Sequence, residues 1–342
     1  MSRLIVLAMT GLLLNGAVSA PVFSQSIKDR VRLVRGSEVG EITATTPTEL
    51  TISLDGGQTK RVAANDVRSV VFDGEPAELT QARLHVKNGG YVSALERLGQ
   101  IDRRKVERPI VREEVDFYLA YSGGKQALSG QGEVTDAGRK LNDFVRSHPQ
   151  SFHYLEAVEL MGDLLMASEK FPAAERQYSE LAKAPWPEYK TRADVLLARS
   201  LQAQGKHDAA IAKFDAVLAS GADEESLRTA TLGKAVSLAD TGRLDDAVRM
   251  IEDVIQAADP EQKVLQARAY NALGDCYQRG GRTKDALLAY LHVDVLYSTV
   301  PEAHAETLAH LVPLWEAVGQ DARAREARQT LQDRYAGSRW AR

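Results

Sequence analysis

The sequence predicts a mainly α-helical chain, a solenoid of about seven helical hairpins preceded by a small all-β module. Three observations predict it. Apolar residues alternate with period two from Asp29 to Gly74. Strand patterning stops at Pro76 and gives way to an Ala- and Leu-rich sequence with helical spacing. Through that helical part, small residues recur in pairs twelve positions apart.

The N-terminus has the order of a secretory leader: Arg3 as a short positive start, an apolar run from Leu4 to Leu14, then the small residues Val18-Ser19-Ala20. The run is too short to span a bilayer. Residues 1–26 are therefore assigned as a signal peptide removed between Ala20 and Ser26, and the mature chain is expected in the periplasm or outside the cell. Cys276 is the only cysteine, so an intramolecular disulfide, a Cys-based metal cluster and a lipid-bearing cysteine at the cleavage site are not expected.

Residues 27–75 form the β module. Val31 and Leu33, then Leu50, Ile52 and Leu54, then Val70 and Phe72 mark strands, separated by turn signals at Gly36-Ser37, Thr46-Pro47-Thr48, Asp55-Gly56-Gly57 and Ala64-Asn65-Asp66. Asp55-Gly56-Gly57 is the best hairpin turn, because glycine accepts the positive φ of two-residue loops. About five strands in so short a segment resemble an SH3-like or Sm-like barrel.

Residues 76–342 carry the hairpins. The small-residue pairs are Ala82 with Ala94, Gly162 with Ala174, Ala198 with Ala210, Ala235 with Ala247, and Gly274 with Ala286. Two further units are irregular: Ala120 with Ala137 across a longer loop, and Val312 with Ala324. Small side chains at these positions let two helices cross closely. Gly89-Gly90, Gly205-Lys206, Gly242-Arg243, Gly280-Gly281 and Gly319-Gln320 fall between the helices of a pair, where glycine ends the first helix. Tyr178, Phe214, Ile251 and Tyr290 stand one turn after the second small residue to fill the space beneath the next unit, and Pro149, Pro187, Pro260 and Pro301 punctuate the units. The run Tyr270-x2-Leu273-Gly274-x2-Tyr277 followed by Ala286-x3-Tyr290 resembles the tetratricopeptide consensus. His148-Pro149-Gln150-Ser151 and Tyr335-Ala336-Gly337-Ser338 are similar to the junctions of tetratricopeptide proteins of the bacterial envelope.

Other function classes find little support. The formal charge of −4 gives no global basic field for nucleic acid. Ser122-Gly123-Gly124-Lys125 lacks the spacing and the preceding strand of a phosphate loop and is read as a loop insertion. The seven histidines lack metal-ligand spacing and are read as solvated, as are Glu113-Glu114 and Glu224-Glu225. Cys276 is read as a small core residue. The basic clusters, Arg103-Arg104-Lys105 with Arg108 and Arg112, and Arg323 to Arg342, are read as solvated faces. No catalytic constellation, cofactor site or metal site is predicted.

The resemblance implies a non-enzymatic scaffold that takes a protein or peptide partner in the cell envelope on its concave surface, which the first helices of successive hairpins line. In the register of Ala198 and Gly274, that surface carries Arg192, Arg199, Gln202, Arg268, Asn271, Asp275, Gln278 and Arg279. Its arginines suit a partly acidic ligand. The alternative is an envelope polysaccharide- or nucleic-acid-binding module acting through the β domain, although Phe72 is its only aromatic residue for stacking.

Overall fold

The computed structural model describes residues 27–336 and 338–341; the assigned leader lies outside them. The β module consists of β1 (Asp29–Leu33), β2 (Ser37–Thr46), β3 (Glu49–Leu54), β4 (Thr59–Ala63) and β5 (Val67–Val71). They pair antiparallel in the order β4-β3-β2-β1-β5. The register sets Ile42 opposite Ile52, Leu50 opposite Val62 and Val31 opposite Val70, so one face is continuously apolar and buried. The five expected strands are present, but β4 and β5 are edges and the sheet is open rather than a closed barrel. The reason lies in what covers it. The apolar face forms one core with Leu79, Ala82, Ala94, Leu98, Val111 and Val115 of the first helices, so helices supply the cover that barrel closure would have given.

Fourteen helices among the described residues make seven hairpins. These are α1 (Ala77–Lys87) with α2 (Tyr91–Gly99), α3 (Pro109–Leu128) with α4 (Val134–Ser147), α5 (Tyr154–Ala167) with α6 (Phe171–Leu181), and α7 (Pro187–Ala203) with α8 (His207–Leu218). They continue as α9 (Glu224–Asp240) with α10 (Leu244–Ala257), α11 (Lys263–Arg279) with α12 (Thr283–Leu296), and α13 (Pro301–Ala317) with α14 (Asp321–Tyr335). The paired small residues sit at the crossings: Ala82, Ala94, Ala174, Ala198, Ala210, Ala235, Ala247 and Ala286 are fully buried. A Cβ at Gly274 would stand 2.7 Å from the Tyr290 ring, which explains the glycine there.

The turns obey one rule. Gly89, Gly205, Gly242, Gly281 and Gly319 adopt left-handed φ between 70° and 83°, each five residues before the second small residue of its pair. The third hairpin has Glu169 at that place, at φ 57°, the one non-glycine with positive φ among the described residues. Pro187 and Pro301 open α7 and α13 at the first helical position. Ser122-Gly123-Gly124-Lys125 is not a loop: it lies within α3, where the absent side chain of Gly124 admits Leu141 and Leu160.

First helices of neighbouring hairpins pack on one another at α1–α3, α3–α5, α7–α9, α9–α11 and α11–α13, whereas second helices pack on their partners and on the next first helix. A stack that is closer on one side curves toward that side, so the first helices line the inner face.

Ionic contacts fix the β module to the solenoid. Fully buried Asp29 accepts from Arg108 at 2.6 and 2.8 Å and from the backbone N–H groups of Ile42 and Asp73. Arg83 forks onto Glu75 at 2.7 and 2.8 Å and donates through Nε to Glu114 at 3.1 Å. His153, stacked on Phe117, meets the other oxygen of Glu114 at 3.0 Å. Farther along, Thr45 donates to the Gln150 carbonyl and Asn65 to Glu188 at the start of α7. Arg108, Glu114 and His153 are thus not solvated, contrary to the sequence reading, because each is neutralised by a partner remote in sequence. The change of pattern at Pro76 is a change of secondary structure within one continuous core.

Candidate partner-binding face

The inner face is a row of polar side chains that link one first helix to the next. Arg192 of α7 reaches Glu159 of α5 at 2.6 Å. Gln202 donates to the Gly233 carbonyl of α9 at 2.8 Å. Arg279 of α11 pairs with Asp240 of α9 at 2.7 Å and with Asp275 at 3.7 Å. Asp275 also accepts from the Tyr290 hydroxyl at 2.5 Å and faces His310 of α13 at 3.6 Å. An equivalent bond ties the Tyr178 hydroxyl to Asp163 in α5 at 3.0 Å.

The predicted residues divide into two groups. Arg199, Arg268 and Gln278 are exposed and make no side-chain hydrogen bond or ion pair among the described residues. Arg192 and Arg279 project from the same helices but are already paired, as is Asp275. Gln202 is half-buried between α7 and α9. Asn271 was expected to face a partner; it is 3% exposed. Its amide donates to the Ala303 carbonyl and to Glu306, both at 2.9 Å, and its oxygen accepts from Thr307 at 2.6 Å. It therefore locks α11 to α13, since a buried amide must find partners.

Glu306 and His310 were missed. Glu306 precedes Val312 by six residues, as Arg192 precedes Ala198 and Arg268 precedes Gly274, so the register could have found it. The sequence reading counts face residues only from Ala198 and Gly274, so the irregular Val312 unit supplies none. Burial, reinforced by Asp275, pushes the Glu306 carboxyl up to about 7 against the hydrogen bond from Asn271. Burial likewise raises Glu159 and Asp163, and it holds the His310 imidazole below its ordinary value. His310 stacks flat on Tyr290 at 4.9 Å, and His304 is buried between Asp294 and Tyr335, so these histidines too are not solvated. Cys276 is fully buried, and burial lifts its thiol to about 12, the setting of a core residue. No group of three or more histidine, cysteine or acidic side chains among the described residues is arranged to hold a metal ion.

Stacked helical hairpins with a polar inner face define an α-solenoid. The family model described as "Tetratricopeptide repeat" matches residues 160–225, 195–263 and 232–294, so the stretch from 160 to 294 carries tetratricopeptide repeats. Its fold is similar to that of a tetratricopeptide repeat protein from Parabacteroides merdae, 18% identical, covering 75% of this chain and 91% of that one with a TM-score of 0.56. It is also similar to the Rap protein complexed with Competence and Sporulation Factor, 14% identical, covering 77% of this chain and 76% of that one with a TM-score of 0.54. No curated protein matches the chain.

Proposed function

We propose that the chain is an exported, non-enzymatic scaffold whose curved inner face binds a protein or peptide partner in the cell envelope. The observation that carries this reading is the uncommitted set Arg199, Arg268 and Gln278, standing exposed on the face where Arg192, Gln202, Asn271, Asp275 and Arg279 are already tied to neighbouring groups. Likeness of fold to the Rap protein, which was solved in complex with Competence and Sporulation Factor, supports the same use of the solenoid. The face is mixed in charge, with free arginines beside desolvated carboxylates, and suits an extended segment that presents both carboxylate and cationic groups. The β module acts as the N-terminal cap of the array, holding α1 to α3 in place through the shared core. The alternative of polymer binding by that module is not favoured, because Phe72, its only aromatic residue, is 2% exposed and unavailable for stacking.

Export rests on the leader-like order of residues 1–26. Mass spectrometry of the native protein should find its N-terminus between Pro21 and Ile27, and an intact Met1 in the cytoplasm would overturn this part. For the binding face, photo-crosslinking residues placed at Arg199 and Gln278 should capture a partner from envelope extract, whereas those at Arg176 and Arg249 on the second helices should not. Capture from the second helices alone would refute the assignment.

A further inference from the structure

We propose that the C-terminal end of the inner face is a subsite for an aromatic side chain next to an arginine, and that the chain fills it in cis with its own Arg339-Trp340. The proposal rests on the inner-face reading above and adds the chemistry of the ligand.

The residues after α14 turn back on the array. Arg339–Ala341 form a short 3-10 turn against both α13 and α14. This brings the Trp340 ring to 5.6 Å from the ring of His310, the residue that lies flat on Tyr290 and faces Asp275. The turn therefore abuts the last member of the polar row and does not simply cover the outer side of the last hairpin. Arg339 lies over the Trp340 ring at 4.6 Å. Its positive charge also acts on Glu306, whose carboxyl burial and Asp275 push up.

Two features make this a binding arrangement that a partner could take over. The first is charge. Asp275 faces His310 and acts on Glu306 here, while its cation Arg279 is shared with Asp240 of α9 and His310 is held toward its neutral form, so the end of the face is short of positive charge. A cation suits it. The second is the fit of the occupant itself: Trp340 packs beside the apolar cluster of α13 and α14, yet its indole Nε1 is shielded from solvent with no acceptor among the described residues. An unmet donor weakens the hold of the tail, and a segment offering the same ring and charge with its donor satisfied would displace it.

The test uses a fluorescein-labelled peptide with the sequence Ser-Arg-Trp-Ala-Arg, that of residues 338–342, and the full chain. Its affinity is measured by fluorescence anisotropy for the parent, for Arg339→Ala with Trp340→Ala, and for Arg339→Glu alone, an exposed change that leaves the apolar packing in place. Both variants should bind the peptide at least about tenfold more tightly than the parent, a difference of about 1.4 kcal/mol. Adding Glu306→Gln and His310→Ala should abolish that gain, as should replacing the tryptophan of the peptide by alanine. If neither variant gains affinity over the parent, the tail is only an end cap and the proposal falls. Crosslinking at Arg199 is read separately, so a partner still captured there would leave the wider function standing while this subsite fails.

Discussion

Replacing Arg83 by methionine should cost the fold about 3–5 kcal/mol, the usual penalty for removing one member of a buried ionic group. The guanidinium is 10% exposed and stands between the carboxylates of Glu75 and Glu114, which are 5% and 2% exposed. Methionine fills most of the volume of the arginine stem but leaves both carboxylates without their cation, with His153 at 3.0 Å the remaining partner of Glu114. In the parent, burial would raise the Glu114 carboxyl, yet His153 and Arg83 outweigh it and hold the group below the usual range. Removing Arg83 takes away one of the two groups that lower this carboxyl and shifts its folded-state value upward. The stability that a lowered carboxyl contributes is present above the ordinary carboxylate range and lost as pH falls through it, so the deficit of the variant should be deepest at neutral pH and shrink as the medium is acidified below that range. Urea unfolding of parent and variant, followed by circular dichroism at pH 7.5 and at about pH 4, measures both effects. A deficit under about 1 kcal/mol at neutral pH, the range of an exposed pair, would refute the claim that this network holds the β module to the solenoid.

Three further perturbations test other parts of the structure. Ala247→Leu places a larger side chain at a fully buried helix crossing and should lower stability by about 1–3 kcal/mol in the same assay; a variant that melts like the parent would mean the repeat register is wrong. Glu169→Gly should stabilise the third hairpin by about 0.5–1 kcal/mol by relieving a left-handed backbone, less the added freedom of the unfolded chain; destabilisation would show that the glutamate side chain has a role of its own. Burial alone would lower the His153 imidazole, but Glu114 and then Glu156 raise it to about 9. Its stabilisation is therefore complete below the ordinary imidazole value near 6.5 and is lost as pH rises through about 9. The melting temperature should fall across that window in the parent, and the fall should be smaller in His153→Gln.

The parts of this structure that could be read from the sequence are those fixed by local sterics. A helix crossing tolerates only small side chains, so Ala198 with Ala210 and Gly274 with Ala286 announce their hairpins wherever the spacing recurs. A turn that needs a left-handed residue calls for glycine, and Gly205, Gly242 and Gly281 mark it. Period-two alternation gave the strands, but whether they close into a barrel depends on what packs over them, and here α1 and α2 do so. The less legible parts depend on partners far apart in the chain. Asp29 with Arg108 and Glu114 with Arg83 and His153 look like ordinary surface charges until the fold brings them together. The inner face shows the same limit: Asn271 occupies a position that points along the face, yet its amide is consumed by Ala303 and Glu306, a commitment that helical spacing cannot reveal. Arg199, Arg268 and Gln278 have the same helical geometry and no such partner among the described residues.

The most direct test of the account compares two triple variants for binding the partner captured by crosslinking. Arg199→Ala, Arg268→Ala and Gln278→Ala strip the uncommitted side chains from the first helices, while Arg176→Ala, Arg249→Ala and Glu326→Ala make equal changes on the exposed second helices. All six positions are exposed, so both proteins should unfold within about 0.5 kcal/mol of the parent. In a titration with the isolated partner, the inner-face variant should bind at least about tenfold more weakly, as expected when groups that read a ligand are removed from the centre of an interface, and the outer-face variant should bind as the parent does. Full binding by the inner-face variant together with loss in the outer-face variant would contradict the assignment of the concave surface.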